Sequence, residues 1–248
     1  MRRIMSLVWW PINLLQVVFV ALWSLVGFLA ALLLSKVAQS PRPGLWYARE
    51  IWAPVLLASG WVRLDIRGLE RIDPGRPYFV VANHQSWVDI PLLIRALPMP
   101  VLFIAKQELS RIPLLRQYVE TMGMVFVNRS DRRESVRSVG KLAERLHQGW
   151  SVLSFPEGTR SPDGELLRFR TGTFAAALET GVDVLPVAVE GAARIVPRSG
   201  IRFRPGRVRI AIGEPIPVAG YAHDDRAALA ARAQEVVAQE IARMRDLA

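Results

Sequence analysis

Three patterns of apolar and polar residues follow one another along the chain. From Ile4 to Ser35, 32 consecutive positions carry no charged residue. From about Leu45 to Gly60, apolar residues recur at helical spacing among polar ones. After Gly60, short apolar runs alternate with longer amphipathic stretches, which is typical of an α/β domain. The pattern therefore predicts N-terminal helices followed by one α/β domain.

Within the α/β part, the short apolar runs are predicted strands and the amphipathic stretches are predicted helices. The predicted strands are Val62–Ile66, Tyr78–Ala82, Val101–Ala105, Met124–Val127, Ser151–Phe155, Val184–Val189 and Arg207–Ile212. The predicted helices are Val88–Ala96, Pro113–Thr121, Arg132–Gln148, Thr173–Thr180 and Arg226–Leu247. Because strands and helices alternate, we expect a mixed, mostly parallel sheet flanked by helices. The helix at 132–148 is expected to bury Val136, Val139, Leu142 and Leu146.

The uncharged N-terminal run is long enough to cross a bilayer. As a helix it would extend about 48 Å, against a hydrocarbon core of about 30 Å. Trp9, Trp10 and Trp23 are suited to the membrane interface. A secretory signal peptide would be shorter and would end in a small-residue cleavage site, so we expect an uncleaved anchor. Cations flank both ends, which leaves open whether the helix spans the bilayer or lies in one leaflet.

The second apolar segment, residues 45–60, fits an amphipathic helix at the membrane interface. A helix packed on the domain fits its spacing equally well. A stretch rich in proline and glycine, from Ser40 to Gly44, separates it from the first helix. We therefore divide the chain into membrane-anchoring helices at residues 1–60 and an α/β domain at residues 61–248.

The composition narrows the classes of partner. The net charge is +10, from 32 Lys and Arg against 22 Asp and Glu, which indicates an anionic partner. Tryptophans concentrate in the N-terminal anchor and not beside clustered arginines, so an anionic lipid surface fits better than nucleic acid. The chain has no cysteine and three dispersed histidines, so no metal cluster is expected.

One of the three histidines follows a predicted strand. His84 comes directly after the run 78–82, in a polar turn that contains Asp89 at the start of the next helix. If the chain turns between them, the carboxylate can orient the imidazole and leave its other nitrogen free to take a proton. Ser86 is a conceivable nucleophile, but no Gly-x-Ser-x-Gly elbow occurs. We therefore expect His84 to activate a substrate hydroxyl.

A second polar loop follows another predicted strand, at Glu157-Gly158-Thr159-Arg160-Ser161. A glycine lets the backbone approach a ligand closely, and the planar guanidinium of Arg160 fits a phosphate. Thr159 and Ser161 add hydroxyls and backbone amides. Glu157 is expected to hydrogen-bond the substrate or to order the site, for instance by pairing with Arg160.

Two further cations end predicted strands. Lys106 follows the run 101–105, and Arg129 ends the segment 123–129. Each is a candidate ligand for an anion, although a single exposed cation is more often solvated. Because four strand ends deliver polar or charged groups, we expect them to form one site.

In this order, these segments resemble the motifs of the glycerophospholipid acyltransferase family, best its 1-acyl-sn-glycerol-3-phosphate acyltransferases. Asn83–Asp89 resembles the first motif, His-x4-Asp. Residues 123–129 resemble the second, 155–161 the third, and the Pro-centred run 184–188 the fourth. The family often has Lys where this chain has Arg170. The resemblance covers about residues 60–215 and extends to the apolar N-terminal helices of bacterial members.

The resemblance implies a glycerol-3-phosphate acyltransferase-like fold and an O-acyltransferase of phospholipid biosynthesis. His84 and Asp89 would be catalytic. The substrate would be bound by Lys106, Arg129, Glu157, Gly158, Thr159 and Arg160. Lysophosphatidic acid would accept an acyl group from acyl-CoA or acyl-acyl carrier protein, giving phosphatidic acid without cofactor or metal. Because such donors are cytoplasmic, we expect the protein at the inner membrane, in contact with the bilayer, with its active site facing the cytoplasm.

Three alternatives remain open. The acceptor could be another lyso-lipid, such as a lyso-ornithine lipid. The protein could instead be a non-catalytic lipid-binding protein of the same fold, against which the intact His84 and Asp89 pair argues. A basic nucleic-acid binder ranks last, since we expect no nucleic-acid partner.

Overall fold

The N-terminal part of the chain is helical. The structure, a computed structural model, describes residues 2–128, 132–200, 202–222 and 224–246. Helix α1 spans Arg2–Val37. Helix α2 (Arg42–Tyr47) continues through a π-helical turn at Ala48–Trp52 into α3 (Ala53–Ser59). The two predicted helical segments are thus present, and the second contains a local π turn that periodicity did not indicate.

Helix α1 carries a long exposed apolar surface. Its stretch Pro11–Val37 has a mean hydropathy of 2.7 and is long and apolar enough to cross a membrane. Leu15, Leu29 and Leu33 are each more than half exposed. The same helix also packs on the protein, because Ala31 and Leu32 are buried with Tyr118 and Met122 of a later helix.

The helix at 42–59 packs on the domain with one face. Ala53, Leu56 and Leu57 are buried, and Trp52 is nearly so. The indole Nε1 of Trp23 in α1 donates a hydrogen bond to the carbonyl oxygen of Trp52 at 3.0 Å. Trp46 remains 57% exposed, so the opposite face still presents an aromatic ring. Of the two interpretations left open, the packed helix describes most of this segment.

Residues 62–246 form the alternating elements that the sequence predicts, and one four-residue helix, Ala192–Ile195, that it does not. The strands are β1 (Val62–Arg67), β2 (Phe79–Ala82), β3 (Val101–Lys106), β4 (Val125–Val127), β5 (Ser151–Ser154), β6 (Val184–Glu190) and β7 (Gly206–Ile212). The helices are α4 (Asp89–Ala96), α5 (Pro113–Thr121), α6 (Arg132–His147), α7 (Phe174–Thr180), α8 (Ala192–Ile195) and α9 (Arg226–Asp246). Every predicted strand and helix is present, with ends within about two residues.

The strands form one seven-stranded sheet in the order β1-β7-β6-β2-β5-β3-β4. Strands β6, β2, β5, β3 and β4 are mutually parallel, whereas β7 pairs with β6 antiparallel and β1 runs parallel to β7. The expected mixed, mostly parallel sheet is therefore confirmed. Because parallel strands share a carboxyl end, the loops after β2, β5, β3 and β4 leave the sheet at one edge.

Two apolar layers cover the sheet. On one side, Phe79 and Val81 pack with residues of α6, α7 and α9, and the rings of Phe79 and Phe174 meet edge to face at 5.7 Å. On the other side, Val80 and Ala82 pack with residues of α4 and α8. β2 is buried on both faces, so its carboxyl end is held firmly in the middle of the site edge.

One predicted core position is wrong. Three apolar residues of α6 pack against the core of the domain, as expected: Val139, Leu142 and Leu146. Val136, by contrast, is 67% exposed. The spacing of three residues from Val136 to Val139 rotates Val136 past the edge of the buried face, near the beginning of the helix.

Candidate active site

The turn after β2 holds His84 against Asp89. The side-chain amide of Asn83 donates to the carbonyl oxygen of Val189 in β6 and accepts from its backbone N–H, at 2.8 and 2.7 Å. This pair fixes the start of the turn. His84 Nδ1 then lies 2.7 Å from Oδ2 of Asp89, the first residue of α4. The bond engages Nδ1, so Nε2 is the ring nitrogen left for a substrate.

The carboxylate of Asp89 organises the whole turn. Besides the imidazole, its Oδ2 accepts the backbone N–H groups of Gln85 and Ser86 at 2.7 and 2.8 Å. The side chain of Asp89 is fully buried. Because hydrogen bonds to an ionised acceptor are strong in buried surroundings, the local backbone supports the negative charge beside the histidine.

Residues from the loop after β5 hold His84 from the other side. The rings of His84 and Phe155 stack with centroids 4.0 Å apart. The His84 backbone N–H donates to Oε1 of Glu157 at 3.1 Å, and its carbonyl oxygen accepts the N–H of Ser161 at 2.8 Å. The imidazole is 15% exposed. Two loops distant in sequence therefore fix both the backbone and the ring plane of one residue.

Glu157 is buried beside His84 and is not paired with Arg160 among the described contacts. Glu157 is 3% exposed, and its Oε2 has no hydrogen-bond partner among the described residues. Burial raises the pKa of Glu157 to about 8, and the nearby charge of Asp89 adds to this, while the backbone N–H of His84 opposes it. Glu157 is thus mostly protonated at neutral pH, which removes a charge that would repel an anion. The expected Glu157–Arg160 pair is wrong.

Arg160 points away from Glu157, toward an exposed tryptophan. Its guanidinium carbon lies 4.5 Å from the ring centroid of Trp87, and its Nη1 donates to the carbonyl oxygen of Arg198 at 3.4 Å. Gly158 has a φ of +78°, a conformation that favours glycine and turns the chain sharply. Thr159, between them, is exposed. The loop therefore presents Thr159 and the Arg160 guanidinium outward while it buries Glu157.

The two remaining candidate cations belong to β3 and β4. Lys106 is the last residue of β3, with its Nζ 3.0 Å from Oε1 of Glu108 and its side chain 64% exposed. β5 separates β3 from β2, so Lys106 ends its strand on the same edge as His84. Arg129 lies outside the described residues, and the chain before it ends β4 at Val127 on that edge.

Two serine hydroxyls near the site donate hydrogen bonds to other groups of the protein. Ser86 is fully buried and its Oγ donates to the carbonyl oxygen of Val196 at 2.7 Å, so it is not placed as a nucleophile. Ser161 is buried as well, and its Oγ donates to Asp163. The expectation that Ser161 offers its hydroxyl to an anion is wrong. The backbone N–H of Ser161 also has a partner, because it donates to the carbonyl oxygen of His84.

Sequence reasoning did not assign roles to Asn83 or Gln85. Both are buried polar residues that tie the His84 turn to β6 and to neighbouring loops. The Gln85 amide donates to the carbonyl oxygen of Gly164 at 2.7 Å and accepts the N–H of Ala192 at 3.1 Å. Their signal in the sequence is two amide side chains next to a histidine, directly after a fully apolar strand.

The arrangement defines a class of protein: an α/β protein in which a histidine, oriented by a buried carboxylate, lies at the carboxyl edge of the sheet near cationic residues that end or follow its strands. Among the described residues no group of His, Cys, Asp or Glu could hold a metal ion. The Acyltransferase family model matches residues 63–190. The chain belongs to the acyltransferase family.

Three known proteins illustrate the likeness. The chain is 36% identical over 173 residues to the chloroplastic 1-acyl-sn-glycerol-3-phosphate acyltransferase LPAT1 of Arabidopsis thaliana, covering 68% of this chain and 48% of that protein. It is 37% identical over 180 residues to a lyso-ornithine lipid O-acyltransferase of Pseudomonas aeruginosa, covering 66% and 67%. The chain thus spans about half the length of the plant relative.

The third is a solved structure. The crystal structure of the 1-acyl-sn-glycerophosphate (LPA) acyltransferase PlsC from Thermotoga maritima is similar with a TM-score of 0.79 and 29% identity. The similarity covers 99% of this chain and 98% of that chain. It therefore includes the N-terminal helices as well as the sheet.

Proposed function

We propose that this protein transfers a fatty acyl group from acyl-CoA or acyl-acyl carrier protein to the sn-2 hydroxyl of 1-acyl-sn-glycerol 3-phosphate, forming phosphatidic acid. The observation that carries the proposal is the 2.7 Å contact between His84 Nδ1 and the buried carboxylate of Asp89, with Nε2 left for a substrate. The acceptor is the one in the names of the Arabidopsis and Thermotoga relatives.

The reaction needs one base and no covalent enzyme intermediate. His84 Nε2 takes the proton of the acceptor hydroxyl, and the oxygen attacks the carbonyl carbon of the thioester. The tetrahedral intermediate collapses with cleavage of the C–S bond. The leaving thiolate takes the proton from the imidazolium, which restores the base. Asp89 stabilises the imidazolium while it exists.

The acceptor phosphate is bound by the cations of the site edge. Lys106, Arg129 and Arg160 carry this role, with Gly158 and Thr159 forming the loop that approaches the glycerol phosphate. A guanidinium can form two parallel hydrogen bonds to phosphate oxygens, whereas lysine acts as a point charge. Binding of the phosphate fixes the distance between the acceptor hydroxyl and His84. The hydroxyl is thereby oriented for proton transfer before the reaction begins.

Of the two roles expected for Glu157, we propose the ordering of the site and not a contact with substrate. Its carboxyl holds the backbone of His84 and is almost inaccessible from the surface. In its protonated form it adds no negative charge beside the bound phosphate. The third motif would thus have two roles, in which Glu157 supports the base and Arg160 binds the substrate.

The membrane supplies the acceptor. We propose that the helices at residues 1–60 hold the α/β domain of residues 61–248 on the inner membrane, with the site facing the cytoplasm, where acyl donors are made. The exposed apolar surface of α1 supports this, because its exposure to water would be unfavourable at about 25 cal/mol per Å² of apolar area. The positive net charge suits an anionic leaflet.

A second acceptor is supported by a specific observation. The similarity to the lyso-ornithine lipid O-acyltransferase covers two thirds of both chains at 37% identity. A lyso-ornithine lipid lacks the phosphate that Lys106 and Arg160 would bind. Activity toward that acceptor, with none toward 1-acylglycerol 3-phosphate, would therefore replace the first proposal while leaving His84 as the base.

The experiment is acyl transfer from radiolabelled oleoyl-CoA, and from oleoyl-acyl carrier protein, to each acceptor in detergent micelles. The variants are His84→Ala and, as a matched control, His147→Ala, which removes an exposed histidine at the end of α6. We expect phosphatidic acid from the wild type and the control, and a loss of about 10²- to 10⁴-fold in His84→Ala.

Two results would contradict the proposal. No product from the wild type with either donor and either acceptor would favour the non-catalytic lipid-binding protein. Full activity in a folded His84→Ala variant would remove the base and require a different mechanism on the same fold. Circular dichroism of both variants separates loss of the base from loss of folding.

A further inference from the structure

A cavity of about 220 Å³ lies at the carboxyl edge of the sheet, on the side covered by α6. Its apolar floor is formed by Val127, Val139 and Leu142, and its polar side by Ser154, Thr173 and Arg170. Of the described residues proposed to bind the acceptor, Lys106, Gly158, Thr159 and Arg160, none lines it.

The cavity adjoins the base through a single side chain. Phe155 lines the cavity and also stacks on the imidazole of His84 at 4.0 Å. Pro156, the next residue, lines it as well, and its carbonyl oxygen accepts the backbone N–H of Arg170 at 2.9 Å. The cavity is therefore one side chain away from the imidazole of His84, and the backbone of Arg170 is held at its lining.

The acceptor cation Arg160 lies on a different side of His84. Its neighbours are Trp87, which precedes α4, and Arg198, which follows α8. Residues of α4 and α8 pack on the opposite face of the sheet from α6 and α7. Arg160 and the cavity thus lie toward opposite faces of the sheet, with His84 between them.

The lining offers what an amide chain ending in a phosphate needs. The hydroxyls of Ser154 and Thr173 lie 3.2 Å apart, which uses one of their two protons and leaves a donor and acceptor sites for amide groups. The side chain of Arg170 is exposed and has no hydrogen-bond or ion-pair partner in the part of the chain that the structure describes. The apolar floor suits methylene and methyl groups.

We infer that this cavity binds the phosphopantetheine arm of the acyl donor, with Arg170 on its phosphate and the hydroxyls of Ser154 and Thr173 on its amides. This inference rests on the proposed function. The arm is common to acyl-CoA and acyl-acyl carrier protein. Its thioester reaches His84 past Phe155, where the acceptor oxygen forms the new C–O bond, the C–S bond breaks, and the thiol leaves with the proton that His84 took.

The test measures the KM for each substrate in two variants and one control. Arg170→Glu reverses the charge at the rim. Gly172→Leu adds a large side chain at the cavity lining, and a Cβ there meets nothing within 4 Å, so the variant has space to fold. Arg168→Glu makes the same charge change two residues away, at a side chain that does not line the cavity.

We expect Arg170→Glu to raise the donor KM about tenfold or more, the usual worth of a charge-assisted contact, with the KM for 1-acylglycerol 3-phosphate unchanged. The rise should occur with oleoyl-CoA and with oleoyl-acyl carrier protein. With S-oleoyl-N-acetylcysteamine, which lacks the phosphate, Arg170→Glu should match the wild type while Gly172→Leu remains impaired. Arg168→Glu should resemble the wild type throughout.

Calorimetric titration with CoA separates this inference from the proposed function. If CoA binds the wild type, binds Arg170→Glu more weakly, and no phosphatidic acid forms, the function fails and the site stands. If phosphatidic acid forms and Arg170→Glu keeps the donor KM and CoA affinity of the wild type, the site fails and the function stands. A rise of the acceptor KM alone, or of the KM for oleoyl-CoA alone, would also overturn the assignment to the arm.

Discussion

The two halves of the site edge are built in opposite ways. At the ends of β2 and β5, His84, Asp89 and Glu157 are almost buried and joined by short hydrogen bonds. At the end of β3, the side chain of Lys106 is 64% exposed. Its one described ion pair is with Glu108, two residues further along the chain. The first half is a fixed network, and the second is an open cationic surface.

The difference suits the roles that we propose for the two halves. Proton transfer depends on the position and direction of one nitrogen, so its supports must be rigid and free of water. Attraction of a phosphate depends mainly on charge and distance, which a solvated side chain can supply. We therefore expect changes in the buried half to act on kcat, and changes in the exposed half to act on KM.

The largest effect in this comparison is expected from Asp89→Asn. An asparagine keeps the shape and can still accept the backbone N–H groups, but it cannot stabilise a charged imidazolium. We expect kcat to fall about 10²- to 10³-fold, with the KM of the acceptor little changed. Steady-state kinetics on phosphatidic acid formation measures both constants.

The control for that variant is Asp65→Asn, which changes an aspartate on β1 whose ion pair among the described residues is with Arg207. It should keep the activity of the wild type. A folded Asp89→Asn variant with normal kcat would mean that the buried network is structural and does not assist proton transfer.

A smaller effect, on KM, is expected from Arg160→Ala. Removal of the guanidinium should raise the KM for 1-acylglycerol 3-phosphate about tenfold or more, since hydrogen bonds to charged groups contribute about 1.5–3 kcal/mol. Arg232→Ala, on the exposed side of α9, serves as the matched arginine control. A fall in kcat with an unchanged KM would instead place Arg160 among the groups that act in the transition state.

Lys106→Ala should have a milder effect that depends on salt. An exposed cation contributes about 1 kcal/mol to attraction, or a few-fold in KM, and ions screen it beyond about 10 Å at 0.1 M. The difference in KM between Lys106→Ala and wild type should shrink as salt rises from low to high concentration. Lys141→Ala, an exposed lysine on α6, should show no such difference. An effect of Lys106→Ala that salt leaves unchanged would indicate a buried, direct contact.

The smallest effect on activity is expected from Glu157→Gln, because a glutamine oxygen can still accept the His84 N–H. Its signature lies in stability. With the pKa of Glu157 raised to about 8, the folded protein keeps a proton that the unfolded chain releases near its ordinary value of 4.5. This contribution to stability is complete below about 4.5 and is lost as the pH rises toward and past 8.

The measurement is the thermal midpoint in detergent at pH 6 and pH 9. The midpoint of the wild type should fall more between these values than that of Glu157→Gln, and Glu179→Gln, at an exposed glutamate of α7, should follow the wild type. Equal falls in wild type and Glu157→Gln would mean that Glu157 is ionised at neutral pH.

Local patterns were enough to predict the strands, the helices and the residues that follow each strand end. That Glu157 could order the site was among the expectations, but its partner was not predictable, because the contact with His84 joins positions 73 residues apart and depends on β2 and β5 being neighbours. The orientation of Arg160 toward Trp87 is of the same kind. Ser161 shows the opposite error, since a hydroxyl beside an arginine suggests an anion site until its burial is known.

The sequence pattern also did not predict the directions of β7 and β1, which lie at one end of the strand order. Periodicity predicts that β7 and β1 exist, but not that β7 runs antiparallel to β6, because that depends on the path of the connection from residue 196 to residue 205. Val136 failed for a local reason, since the buried stripe of a helix has an edge that a count of apolar residues does not locate.

Helix α1 has a consequence for how the lipid environment reaches the chemistry. The ring of Phe28 lies 4.7 Å from that of Tyr118, and Ala31 and Leu32 are buried against Tyr118 and Met122, so one end of the anchor forms part of the packing of α5. A chain beginning at residue 61 would expose that packing, and we expect it to aggregate. If α1 lies in the bilayer as proposed, a tilt of α1 would move α5, which connects the Lys106 strand to β4. The packing of α1 on α5 would then couple the lipid environment to the position of Lys106.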